Sequence, residues 1–209
     1  MDYCPRGVWW VVAAAPRFLP PLREARDSSG FCHPWQDPAI LMAAWLGWQA
    51  MLALVRTTFP ETQHVSTDEL ASAIAAQDVA VLLLDVRRRE EYEVSHLEGA
   101  VWVGEDGEHP ELAAMVSAFA EEHEPARTLV ACYCSVGYRS SRLARRLASE
   151  LGLRAVNVEG SLFRWVNEGR PVFRGSERLD PALAHPYNSV FGKLLHADKR
   201  SPLSLPSSA

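Results

Sequence analysis

An open α/β fold is the expectation from three observations in this 209-residue chain. From residue 64 onward, short apolar runs alternate with amphipathic stretches, the pattern of strands and helices laid down in turn. Val79 to Val86 (VAVLLLDV) is apolar without a break up to Asp85, as a strand buried on both faces must be. Glycine and proline punctuate the runs where elements have to stop.

The elements follow in order. Ser66 stands three residues before Glu69, a spacing that lets each cap the other's backbone N–H, and it opens a helix through Leu70, Ile74 and Ala75. The Val79 to Val86 strand comes next, and sites on such sheets form at the C-terminal ends of strands. A second helix is expected over Pro110 to Glu122, with Pro110 in its first turn and Leu112, Met115, Val116 and Phe119 on one face. Thr128 to Cys132 reads as a strand. A turn at Gly137 leads into a helix from about Ser140 to Leu151, with Leu143, Ala144, Leu147 and Ala148 on one side and Gly152 ending it. Ala155 to Val158 is a further strand, Leu162 to Glu168 a short helix stopped by Gly169, and Pro171 begins an extended exit segment.

Composition narrows the function. Apolar residues at 48% with charged residues at 22% match a globular core and exclude wholesale disorder. The formal charge of -5 is concentrated in residues 61–175, where nineteen acidic residues meet twelve basic ones, so no basic footprint for nucleic acid exists and none is expected as a partner. Four cysteines, Cys4, Cys32, Cys132 and Cys134, are too few for a disulfide scaffold and lack Cys-x-x-Cys spacing, so reduced thiols are expected, with no metal and no cofactor. No internal repeat is visible.

The chain divides into an N-terminal extension over 1–60, a central domain over 61–175 and a C-terminal extension over 176–209. The apolar run Val8 to Ala15 has one weak basic flank, Arg6, offset by Asp2, and makes a poor secretory signal. Asp2, Glu24 and Asp27 spoil the acid-poor composition of a mitochondrial presequence built on Arg6, Arg17, Arg23 and Arg26. A cytoplasmic location is expected, with a mitochondrial or membrane-associated one as the alternative.

Ala39 to Val55 carries no charge over seventeen residues, the short limit for a membrane span. Trp45, Trp48 and Gln49 fall in its middle, whereas anchoring aromatics belong at the interfaces, so the favoured reading is an apolar helix that packs on the domain or rests weakly on a membrane surface. Pro186 to Leu195 mixes aromatics and aliphatics and is expected to pack back on the domain, a protein-binding role being the alternative. Ser201 to Ala209 is Ser/Pro-rich and expected to be disordered.

The chemistry gathers in Leu129 to Ser141 (LVACYCSVGYRSS), an apolar strand, a loop begun by a cysteine, and a helix. Successive N–H groups closing onto a helix N-terminus form an anion-binding nest. A cysteine at its start is held as thiolate, because positive potential lowers its pKa below the free value of about 8.5. Gly137 allows a turn that a Cβ would oppose, and Arg139 places a fixed cation beside a bound anion or persulfide. Ser135, Val136 and Tyr138 shape the pocket, and Ser140 opens the helix. Arg142 either steers anionic donors or belongs, with Arg145 and Arg146, to a solvated basic face. Cys132, two residues earlier in the strand, reads as core, and so does Trp165.

These residues resemble the single-domain rhodanese family of sulfurtransferases, whose active loop reads Cys-x-x-Gly-x-Arg, here Cys134 to Arg139. Leu84-Asp85-Val86-Arg87, Glu91-Tyr92 and Ser95-His96-Leu97-Glu98-Gly99-Ala100 follow a second family pattern, with Ser95 replacing a usual Gly. Glu159-Gly160-Ser161, Trp165 and Gly169-Arg170-Pro171-Val172 follow a third, with Ser161 where a second Gly is usual. The resemblance covers about residues 64–174. It implies a three-layer fold with a central parallel sheet flanked by helices, and a Cys134 persulfide that takes sulfane sulfur from a small-molecule donor such as thiosulfate and passes it to a thiol or cyanide acceptor. A non-catalytic binding or sulfur-sensing module is the alternative. The related phosphatases use Cys-x5-Arg, whereas four residues separate Cys134 from Arg139, a smaller ring that suits sulfur better. Asp85 and Arg87 are expected to pair as a brace near the site, and the resemblance places His96 in a turn that fixes the domain rather than in proton transfer.

Overall fold

The computed structural model describes residues 38–202. Helix α1 spans Pro38–Thr58, and strand β1, Gln63–Val65, follows it. Helix α2 (Thr67–Ala76) starts with the reciprocal cap: the Glu69 N–H donates to Ser66 Oγ at 3.1 Å, and the Ser66 N–H donates to Glu69 Oε2 at 2.7 Å. Strand β2 (Ala80–Asp85), helix α3 (Arg89–Val94), strand β3 (Val101–Trp102) and helix α4 (Leu112–Glu122) come next. Strand β4 (Thr128–Tyr133), helix α5 (Tyr138–Leu151), strand β5 (Ala155–Val158) and helix α6 (Ser161–Asn167) complete the central part. Strands β6 (Phe173–Arg174) and β7 (Glu177–Arg178) form an antiparallel hairpin.

Five strands form one parallel sheet in the order β1-β5-β4-β2-β3. This is the α/β architecture the apolar runs predict, and its layers follow from strand periodicity. Along β4, Leu129, Ala131 and Tyr133 enter the core on one face with Leu70 of α2 and Phe163 of α6. Val130 and Cys132 enter the core on the other face with Val116 of α4 and Leu143 and Leu147 of α5. Helices therefore flank the sheet on both sides, and β4, paired on both edges, ends at the candidate nucleophile.

Helix α1 bears out packing on the domain in part. Val55 is buried, Trp48 and Met51 pack against the core, and Trp48 Nε1 donates to the Leu194 carbonyl at 3.2 Å. Leu46 and Leu54 remain exposed on another face. No helix among the described residues is long and apolar enough to cross a membrane. Residues 186–195 do fold back: Leu195 is buried, and Asn167 Nδ2 donates to the Leu194 carbonyl at 2.7 Å.

Several expectations need correction. Of the tail expected to be disordered over 201–209, the structure describes only the first two residues, where the Ser201 N–H donates to the Ala184 carbonyl at 3.0 Å, and 203–209 lie outside the described residues. The exit segment after Pro171 is a hairpin rather than a plain extended strand, because Gly175 at φ 59° turns the chain. Helix α5 starts at Tyr138 rather than Ser140, because Gly137 itself, at φ 113°, is the cap. Cys4, Cys32, the run Val8 to Ala15 and the candidate presequence arginines lie outside the described residues.

Candidate active site

Cys134 follows the last residue of β4, and its loop is pinned from behind by α6. The Leu162 N–H donates to the Cys134 carbonyl at 3.1 Å, and the Phe163 N–H donates to the Ser135 carbonyl at 3.0 Å. The Cys134 N–H in turn donates to Ser161 Oγ at 3.1 Å, and that hydroxyl donates to the Val158 carbonyl at 3.0 Å. With these carbonyls turned toward α6, the amides that follow turn inward. The Gly137 N–H points at Cys134 Sγ, 3.1 Å away. Gly137 is required there: its φ of 113° is left-handed, and a Cβ would meet Asn157 Nδ2 at 3.3 Å.

Cys134 is 1% exposed, and burial alone pushes a thiol up. The Arg139 charge and the Ser140 and Gly137 donors outweigh burial and hold this thiol below its ordinary value. Ser140 Oγ has one proton, and in the structure it donates to Asn157 Oδ1 at 2.6 Å. The same hydroxyl can rotate to the sulfur when the thiolate forms, while the amides stay in place. Cys132 shows the opposite case. It is fully buried with no donor on its sulfur among the described residues, burial pushes its thiol far up, and it packs as core.

Arg139 is not the lone cation that the sequence suggests. Its Nη1 donates to Glu91 Oε2 at 2.9 Å and to Glu105 Oε1 at 2.8 Å. Its Nη2 donates to Glu91 Oε1 at 2.9 Å and to Ser135 Oγ at 3.0 Å. Ser135 Oγ donates to Glu91 Oε1 at 2.7 Å, closing the network. Burial would raise the Glu91 carboxyl, yet the bonds and charge of Arg139 hold it below the usual carboxylate range. Across the top, the Tyr187 ring centroid lies 4.9 Å from Arg139 Cζ and 5.4 Å from Arg88 Cζ, and Arg88 Nε donates to Glu105 Oε2 at 3.2 Å.

Asp85 and Arg87 form a fully buried pair at the end of β2. Arg87 Nη2 donates to Asp85 Oδ2 at 2.6 Å, and Arg87 Nε donates to Asp85 Oδ1 at 2.9 Å. Arg87 Nη2 also donates to the Ser95 carbonyl at 2.6 Å, which ties the strand end to the turn before His96. His96 stays structural: Nδ1 bonds the Leu97 carbonyl at 2.9 Å, Nε2 accepts the Gly175 N–H at 3.0 Å, and the ring stacks on Tyr92. Both nitrogens are occupied by backbone, leaving none for proton transfer.

The remaining candidates divide by burial. Ser135 and Val136 are buried in the loop and Ser140 in the first turn of α5, while Tyr138 is exposed with its ring edge-on to Phe59, 5.0 Å between centroids. Arg142 lies exposed on α5. The sequence assigns no role to Glu91, quoted only within a motif, or to Tyr187, which falls in the segment expected to pack back on the domain, and it does not single out Glu105 or Asn157. Ser161 carried a signal in replacing a glycine: at φ 50° it keeps a glycine-like backbone and adds the hydroxyl that holds the Cys134 amide. No cluster of three or more His, Cys, Asp or Glu that could hold a metal exists among the described residues.

The rhodanese-like domain family model matches residues 66–168. A tRNA uridine(34) hydroxylase of Chlamydia trachomatis is 34% identical over 101 residues, which make up 47% of this chain and 29% of that protein. The chain thus spans less than a third of the length of the curated relatives it matches. Among solved structures, a thiosulfate sulfurtransferase of Pseudomonas aeruginosa aligns at TM-score 0.47 and 22% identity, covering 63% of this chain and 23% of that one. The rhodanese-like domain of an Anabaena protein aligns at TM-score 0.43 and 26% identity, covering 62% and 92%.

Proposed function

The chain belongs to the rhodanese-like domain family through residues 66–168, and on that premise we propose that it is a sulfurtransferase working through a persulfide on Cys134. The observation that carries the reading is a thiol that burial would raise but that the Arg139 charge and the inward-facing loop donors hold below its ordinary pKa, the Gly137 N–H 3.1 Å from its sulfur. The Cys134 thiolate attacks the outer sulfur of a donor. With thiosulfate the sulfur–sulfur bond breaks, sulfite leaves with the electron pair, and Cys134 keeps the sulfur as a persulfide anion. An acceptor nucleophile then attacks that sulfur, cyanide leaving as thiocyanate or a thiol as a new persulfide, and the thiolate returns. The loop amides meet the negative charge in every state, so neither step needs a general base or a cofactor. The proposed roles follow from position. Cys134 is the nucleophile, Ser135 to Ser140 form the cradle with Arg139 as its cation, and Asp85 and Arg87 brace it. Arg142, on the first turns of α5, steers donors.

The burial of Cys134 favours a second reading, a sulfur-sensing module that forms the persulfide but does not turn over. Intact-protein mass after incubation with thiosulfate or a low-molecular-weight persulfide, followed by cyanide, separates the readings. A single added sulfur on the wild type, absent from Cys134→Ser and released as thiocyanate, is the expected result. Loading without transfer to cyanide or thiol acceptors would establish the sensor instead. No loading from either donor would overturn both.

A further inference from the structure

Tyr187 of the C-terminal extension stands against the site's Arg139, and the network beneath it is charge-balanced. Arg139 and Arg88 are matched by Glu91 and Glu105, with Glu105 bridging the two arginines at 2.8 and 3.2 Å. Both Nη atoms of Arg139 already serve carboxylates, and Nη2 serves Ser135 as well. The flat faces of the two guanidinium groups, the surfaces left to an aromatic ring, lie under Tyr187 at 4.9 and 5.4 Å.

Tyr187 is held there against its backbone preference. Its φ of 63° is an outlier for a bulky side chain, the kind of strain that persists only where surrounding structure over-determines it. The Tyr187 N–H donates to His185 Nδ1 at 3.0 Å, and the Phe191 ring sits edge-on at 5.6 Å between centroids. The segment's ends are tied by the Ala184 N–H to the Lys199 carbonyl at 2.9 Å and the Ser201 N–H to the Ala184 carbonyl at 3.0 Å. The whole device lies beyond residues 66–168, outside the part of the chain that matches the family.

We propose that Tyr187 is a specificity-determining residue that turns the Cys134 site away from thiosulfate and toward low-molecular-weight alkyl persulfides. The proposal rests on the sulfurtransferase reading. A thiosulfate dianion brings a sulfonate that needs free guanidinium edges. At Arg139 it meets Glu91 and Glu105 on the Nη edges, the Tyr187 ring against the group and the charge of the thiolate it has to reach, and like charges brought together without water are costly. An alkyl persulfide, reacting as its protonated form, carries a carbon where thiosulfate carries the sulfonate, and in glutathione persulfide the carboxylates stand several bonds from the transferred sulfur, so the reacting atoms need only the loop amides. Its outer sulfur forms a bond with Cys134 Sγ, its inner sulfur–sulfur bond breaks, and the leaving thiolate takes the electron pair and later a proton from solvent. No oxidant or reductant enters either balance.

The test is the rate of sulfur loading on Cys134 in the full chain, read by intact mass with thiosulfate and, separately, with glutathione persulfide, in wild type, Tyr187→Ala, Tyr187→Leu and Tyr187→Phe. The wild type is expected to load faster from the persulfide. Tyr187→Ala should narrow that preference about fivefold by speeding thiosulfate, the scale of one cation–π contact removed. Tyr187→Phe, which keeps the ring face, should hold the wild-type ratio, whereas Tyr187→Leu, which keeps apolar bulk without that face, should narrow it as Tyr187→Ala does, a split that loss of packing alone would not produce. A ratio unchanged in Tyr187→Ala, or both donors slowed alike, overturns the role of Tyr187 and leaves the sulfurtransferase reading standing. A wild type that loads faster from thiosulfate overturns the persulfide preference. Loading from neither donor overturns both readings.

Discussion

Two arginine–carboxylate centres serve one loop with the same chemistry and different surroundings. Asp85–Arg87 is sealed, both side chains 0% exposed, and its contacts run to strand, turn and core. Glu91–Arg139–Glu105 grades outward, from 1% through 14% to 37% exposed, and its contacts run to the loop that holds Cys134. A sealed pair is expensive to form and more so to break, which suits a brace. A graded pair keeps one face where solvent, ligand and the Tyr187 ring compete, which suits a charge whose influence on a sulfur has to be adjusted.

The comparison breaks most clearly if the brace can be halved without harm. Arg87→Met is expected to cost about 3–5 kcal/mol by urea denaturation, since it strands the buried Asp85 carboxylate, and Asp85→Leu/Arg87→Met should recover most of that loss. A single variant as stable as wild type would mean that the sealed centre is no brace.

Next in size is the graded centre. Arg139→Met should slow sulfur loading about 100-fold, the scale of removing one preorganised charge stabiliser. It should unfold more easily than wild type by less than Arg87→Met does. Equal stability losses in the two variants would erase the distinction between the centres.

A smaller effect sharpens it through pH. Alkylation of Cys134 by iodoacetamide should rise through a midpoint below the ordinary thiol value. Ser140→Ala should move that midpoint up by less than about one unit, ~1.4 kcal/mol. The folded pKa is depressed, so over the window between the folded and ordinary values the unfolded chain holds a proton that the folded chain has released. Stability from this group is therefore complete above the ordinary thiol pKa and is lost as pH falls through the folded one. A midpoint at or above that of a free thiol would contradict the cradle.

The smallest change is Ser161→Gly. It relieves a left-handed backbone but deletes the acceptor of the Cys134 N–H, so the two effects nearly offset and the midpoint of urea unfolding should shift by less than about 1 kcal/mol. A much larger loss would make the hydroxyl, rather than the backbone, the reason this residue replaces glycine.

What could be read from the sequence was what local patterns dictate. Apolar continuity marked β2 and β4, reciprocal capping marked α2, and the Cys134–Gly137–Arg139 spacing marked the loop, because each depends on residues near one another in the chain. Helix α3 was missed because Arg89–Val94 is six residues long with three glutamates and no apolar stripe. Strands β1 and β3 were missed because three and two residues carry no periodicity, and only the parallel neighbours define them. The partners of Arg139 were invisible for a different reason. Glu91 is 48 positions away, Glu105 is 34, and Tyr187 lies in the extension, so tertiary folding alone brings them together.

The strand order has a consequence for how the molecule opens. Strand β4 is zipped to β2 over six residues on one side and to β5 on the other, so its amides should be among the last to exchange with deuterium. Tyr187 sits instead on a surface segment whose ends meet at an isolated bridge between Ala184 and Arg200. Cys134 thus follows the strand expected to open last, while the ring against Arg139 rides on a segment expected to open sooner, so the two sides of Arg139 should exchange on different timescales.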